Sequence, residues 1–203
     1  TLALAVRAAG QARRDADQVP VLRRILLERD PAQYGGAVLE AAIGLVKIAE
    51  EHDDLRPQIR RALLAALDRE YPQRVRRPVL VACLRGLEGY GSEDALPKLQ
   101  RLVDGGYSEP VRTVACRRAL DCPGGALSVY RQIAAHPQNP PRPETLTAVL
   151  QEAWEAAHDS DTKEDDRRCA GTAMELLDSG HFDATEHGRV RVALVELALL
   201  DAG

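Results

Sequence analysis

Aromatic residues are scarce in this chain: five Tyr, one Trp and one Phe in 203 residues. A core of this size must then be filled by Leu, Ala and Val, which suit close helix-on-helix packing. The same scarcity leaves little for a base-stacking platform on single-stranded nucleic acid. A strong charge of one sign is also missing. The formal net charge is −4, which gives no global basic signal for nucleic acid. No run of roughly 18 apolar residues occurs, so no membrane span is expected. Residues 1–6 are apolar but too short for a signal-peptide core, and no cleavage signature follows. Thr1 is not an initiator Met, so the chain reads as a fragment of a longer protein.

Cysteine is sparse as well. Cys83, Cys116, Cys122 and Cys169 form no Cys-x-x-Cys pair. Cys83 and Cys116 fall on apolar helical faces and are read as small core residues. A disulfide framework is not expected at this density, which favours a cytoplasmic location.

Catalytic motifs are missing too. There is no Gly-x-Ser-x-Gly, no phosphate-cradling loop and no dinucleotide fingerprint. The expectation is that the chain is not an enzyme and carries no cofactor.

What the chain does contain is repetition. Residues 81–87 read Val-Ala-Cys-Leu-Arg-Gly-Leu, and 33 residues later 114–120 read Val-Ala-Cys-Arg-Arg-Ala-Leu. Recurrence at this interval marks a helical repeat array, which presents a long surface rather than one pocket. Val38, Ala42, Leu45 and Ile48 line one helical face. Ile59, Leu63 and Leu67 line another, as do Leu96, Leu99 and Val103. No stretch alternates as a strand would.

Punctuation divides the helices into two alternating types. The first type is expected at 1–14, 36–51, 76–88, 109–121, 143–157 and 187–201. The second is expected at 19–29, 55–70, 93–104, 125–135 and 163–178. Pro78, Pro110 and Pro143 are placed in the first turns of successive first-type helices, where a missing amide is not costly. Asp53-Asp54 is read as the cap of the helix near Leu55. Ser92, with Glu93 and Asp94, is read as another N-terminus. Residues 136–143, with their four prolines, read as an extended connector.

Over 77–121 the residues resemble HEAT repeats. Ser108-Glu109-Pro110-Val111-Arg112 matches the entry to a repeat, and Ala95-Leu96-Pro97-Lys98-Leu99 matches the second helix. The best-matching repeats are 36–75 and 75–122, and 143–203 is more divergent. The resemblance implies an all-α fold: a right-handed α-α superhelix, or solenoid, of about five helical hairpins spanning 1–203 as a single domain. It implies a scaffold and no reaction.

The site expectations follow from charge. Seven arginines stand between residues 56 and 77 against only Asp68 and Glu70. Arg56, Arg60, Arg61, Arg74, Arg76 and Arg77 are therefore candidates for binding a protein, with Trp154 as an aromatic anchor if exposed. The competing reading is a solvated helix face with local ion pairs. The expected partner is another protein, or a neighbouring domain of the same longer chain, bound on the concave surface. The alternative is a nucleic-acid-binding module using the same arginines.

Residues 152–186 are strongly acidic, with eleven carboxylates against Lys163, Arg167 and Arg168. Within that stretch, 159–166 departs from a calcium loop: no glycine sits at the sharp turn, and Ala170 stands where the bidentate Glu belongs. His181 and His187 lack metalloprotease spacing and are read as part of a turn, with no metal expected. Leu194, Leu197 and Leu200 form a second apolar face on the last helix, so either a further helix of a longer chain or self-association with a second chain is expected to cover them.

Overall fold

The computed structural model describes residues 16–103, 106–135, 143–158, Ala173, Val190 and 192–195. Among them every regular element is helical, and no strand occurs. The chain is all-α, as its periodicity predicts. After a short 3₁₀ turn at Ala16–Gln18 come α1 (Val19–Glu28), α2 (Pro31–Glu51), α3 (Arg56–Ala66) and α4 (Gln73–Arg85). They are followed by α5 (Leu96–Val103), α6 (Glu109–Leu120), α7 (Gly125–Ala135) and α8 (Pro143–His158). No helix among the described residues is long and apolar enough to cross a membrane. The expected segment at 1–14, all of 163–178 but Ala173, and most of 187–201 lie outside the described residues.

Two compact units form, Thr1–Tyr90 and Gly91–Gly203. In the first, α1 packs on α2, α4 lies against α2, and α3 lies against α1. Like therefore stacks on like, in two layers. Leu22, Leu26, Val38, Leu45, Ile48, Ile59, Leu63, Leu80 and Leu84 fill the space between them. Small side chains set the spacing: Ala41 and Ala42 are fully buried on α2. Gly35 lets α2 approach Val75, whose nearest methyl stands 2.7 Å from where a Cβ would sit.

The second unit repeats the scheme. There α5 packs on α6, α7 on α8, α7 against α5 and α8 against α6. Its core holds Leu99, Leu102, Val111, Ala115, Cys116, Val129, Tyr130, Val149 and Leu150.

Helix ends follow local chemistry. Asp30 caps α2 by accepting from the Ala32 amide at 2.9 Å, with Pro31 next in line. Tyr34 leaves helical geometry (φ −117°, ψ 25°). The regular part of α2 thus begins one residue before the expected start at 36. Gly89 (φ 62°) and Gly124 (φ 66°) take the left-handed turns after α4 and α6, a conformation open to glycine at no steric cost.

Three expectations about helix starts need correction. Pro78 is interior to α4 and not in its first turn, because the helix already begins at Gln73. Leu55, not Asp53 or Asp54, is the cap residue of α3, and no side chain caps it; Asp53 instead pairs with Arg56. Residues 93–95 form a turn, so α5 starts at Leu96 and the acids precede it.

An interior proline removes one backbone bond and crowds the carbonyl four residues back, at a cost of about 3 kcal/mol. Proline also stiffens the unfolded chain, which offsets about 1 kcal/mol of that. Pro78→Ala is therefore expected to stabilise the protein by about 1–2 kcal/mol, measured as a raised midpoint in urea.

The last described helix residues also correct an expectation. Leu194 is fully buried and Ala193 is 5% exposed, whereas Val192 is 59% and Val195 46% exposed. Val190, Ala193 and Leu194 share one helical face, at spacings of three and four. That face is covered by the chain itself, so Leu194 does not offer a surface for self-association. Leu197 and Leu200 lie outside the described residues.

Candidate protein-binding surface

The arginines of 56–77 do not form one patch. Arg69, which follows α3, donates to the carbonyl oxygens of Leu26 and Arg29, the latter at 2.7 Å. Those are carbonyls at the end of α1, which the helix itself leaves without partners. A cation there also complements the negative end of the helix dipole. Arg56 donates to the Ala49 carbonyl at 3.1 Å, near the end of α2. Arg60 reaches the Glu88 carbonyl beyond α4 and lies over the Tyr90 ring, 5.6 Å from its centroid. Arg74 donates to the Ala32 carbonyl at 2.7 Å, and Arg76 to the Tyr71 carbonyl at 3.1 Å.

Four of these guanidinium groups, those of Arg56, Arg60, Arg69 and Arg74, thus fasten neighbouring helices through main-chain oxygens, whereas Arg76 closes a local contact at the start of its own helix. Arg61, Arg74, Arg76 and Arg77 are exposed. Among the described residues, Arg61 makes a 3.4 Å contact with the Pro57 carbonyl on its own helix. Trp154 belongs to α8, but its side chain lies outside the described residues. So do residues 159–166, His181 and His187. Among the described residues, no three His, Cys, Asp or Glu side chains gather as metal ligands.

Sequence reasoning missed a groove on the first unit. Arg23 and Leu27 of α1 face Gln58, Arg61, Ala62 and Ala65 of α3 across an open hollow of about 340 Å³. Positions 58, 61, 62 and 65 form one stripe at helical spacing, and 23 and 27 form another. Each stripe is visible in the sequence. Their meeting depends on α1 stacking on α3, which no local pattern reveals.

The buried thiols and phenol are structural. Burial pushes the Cys83 thiol from 9.0 up to about 12. Burial also pushes Cys116 up to about 12, although the Arg112 guanidinium beside it pulls the other way. Cys122 is raised too, again chiefly by burial, while the Ser92 backbone lowers it. Tyr71 is raised by burial and by Cys83, with Arg69 acting against them. Its hydroxyl donates to the Ala66 carbonyl at 2.8 Å. The sequence reading of Cys83 and Cys116 as core residues holds.

These shifts have a sign. The folded thiols keep protons that the unfolded chain gives up near pH 9.0. Their contribution is intact below that pH and is lost as pH rises towards about 12. Urea midpoints are expected to fall across that window, and Cys83→Ala is expected to flatten the fall.

A scan against protein-family models and searches of curated proteins and of solved structures return no match to this chain.

Proposed function

We propose that this chain is a non-catalytic helical-repeat scaffold, a right-handed solenoid similar to HEAT repeats, which binds another protein or domain. In this reading α1, α3, α5 and α7 are the inner helices of successive hairpins and form the concave binding surface. The observation that carries it is the stacking order within each unit. Alternate helices pack on one another, α1 with α3 and α2 with α4, then α5 with α7 and α6 with α8. That order supports a repeat array, whose surface rather than a pocket serves binding. The repeated Val-Ala-Cys phrase on α4 and α6 supports it further.

The alternative is a nucleic-acid-binding module that uses the arginines of 56–77. It is less well supported, because Arg56, Arg60, Arg74 and Arg76 are engaged with main-chain carbonyls.

Photo-crosslinking tests the reading. A crosslinker at exposed Ala65 on α3 is expected to capture one defined polypeptide in cells that make the protein. The same group at exposed Arg85 on α4 is expected not to. Capture of nucleic acid from Ala65, or of nothing, overturns it.

A further inference from the structure

The groove between α1 and α3 differs from the rest of the basic region. Its two walls each carry one exposed arginine, Arg23 on α1 and Arg61 on α3. Among the described residues, no carboxylate lines it. Its base is apolar and small: Ala62 and Ala65 leave the hollow, and half-buried Leu27 closes one side. Arg24, one residue away, is already paired with Glu28 at 3.1 Å on the outer side of α1. Two like charges facing each other across a hollow favour an anion between them. A guanidinium fork takes a carboxylate in two parallel hydrogen bonds.

We propose that this groove docks an acidic stretch of polypeptide from a partner, with carboxylates on Arg23 and Arg61 and an aliphatic side chain seated on Leu27, Ala62 and Ala65. The inference rests on the protein-binding reading above and names the chemistry of the partner. Charge complementarity selects the acid. The floor selects a peptide over a nucleic acid, because it offers an aliphatic seat and, among the described residues, no aromatic ring for a base to stack on. The hollow of about 340 Å³ is at the small end of ligand-sized sites, which run from about 300 to 1,000 Å³. It fits one or two side chains rather than a folded domain. The Gln58 amide, on the α3 wall one turn before Arg61, adds a donor and an acceptor for the peptide main chain.

Fluorescence anisotropy on the full chain decides it. The probe is a labelled peptide with a Leu-Leu centre flanked on both sides by glutamates. Its comparison is the same peptide with glutamines, and a single-stranded DNA of equal charge is the competitor. The acidic peptide is expected to bind at least about tenfold more tightly than the glutamine form. The double variant Arg23→Glu with Arg61→Glu is expected to lose about tenfold or more. Ala65→Phe, which fills the floor without altering charge, is expected to weaken binding as well. Arg77→Glu, an exposed charge outside the groove, is expected to leave it unchanged.

The four substituted positions, Arg23, Arg61, Ala65 and Arg77, are all exposed, and unchanged melting curves establish that the variants fold. No peptide binding overturns the proposal. So does equal weakening by Arg77→Glu, or a DNA that binds through Arg23 and Arg61 where the peptide does not. Any of these leaves the crosslinking result from Ala65 to stand or fall separately.

Discussion

Gly91→Ala is expected to destabilise the protein by about 3 kcal/mol, the upper end for forcing an extra carbon into a packed site. A Cβ at Gly91 would lie 1.8 Å from the Asp121 carbonyl oxygen and 3.0 Å from its carbon. Both obstacles are main chain, so no rotamer change relieves them. Asp121 ends α6 and the next amide, that of Cys122, donates to the Ala119 carbonyl at 3.0 Å, so the obstacle is itself held in place. The midpoint of thermal unfolding is expected to drop by about 6–12 °C, followed by circular dichroism. Gly125→Ala is expected to behave similarly, since its Cβ would stand 1.7 Å from the Ala119 oxygen. Gly106→Ala supplies the control: nothing lies within 4 Å of its Cβ position. A melt unchanged at Gly91 and at Gly106 alike refutes the argument.

Arg69→Ala carries the second large effect, a loss of about 2 kcal/mol. Two hydrogen bonds from a charged donor disappear, each worth about 1.5–3 kcal/mol, discounted here because one of them is exposed. The guanidinium also lies 6.0 Å from the centroid of the Tyr71 ring, so truncation loosens the connector between α3 and α4 as well. Arg69→Lys is expected to recover less than half, because a single ammonium does not span two carbonyls as a planar fork does. Amide hydrogen exchange gives the local readout. The last turn of α1, where the Arg29 amide meets the Ile25 carbonyl at 3.4 Å, is expected to exchange faster in the variant. Equal exchange in both proteins counts against the clasp.

The helices were legible because their signals are local. Apolar residues three and four apart mark the faces that the structure buries at Val38, Leu45, Ile59 and Leu63. Gly89 and Gly124 mark the turns, and the doubled phrase places Cys83 and Cys116 in the core. Pro78 was misread because proline signals a helix start only on average. Here Pro72 precedes the helix, and its carbonyl accepts from Val75 and Arg76, so α4 starts earlier than Pro78 alone suggests. The arginines could not be sorted from sequence. Arg61 and Arg69 are the same residue type on the same stretch. One faces solvent, and the other reaches back to the end of α1. That distinction arises from how α1 and α3 stack, as does the groove at Arg23 and Arg61.

The Arg69 clasp also bears on synthesis. The carbonyls of Leu26 and Arg29 receive their donor from a residue 43 and 40 positions later in the chain. At translation rates of about 5–20 residues per second, the first helix leaves the ribosome several seconds before the group that completes its end. During that interval its last turn has water, not arginine, to satisfy it. The first hairpin is therefore provisional until α3 and the segment after it have emerged, and any factor that attends the nascent chain meets α1 in that unfinished form.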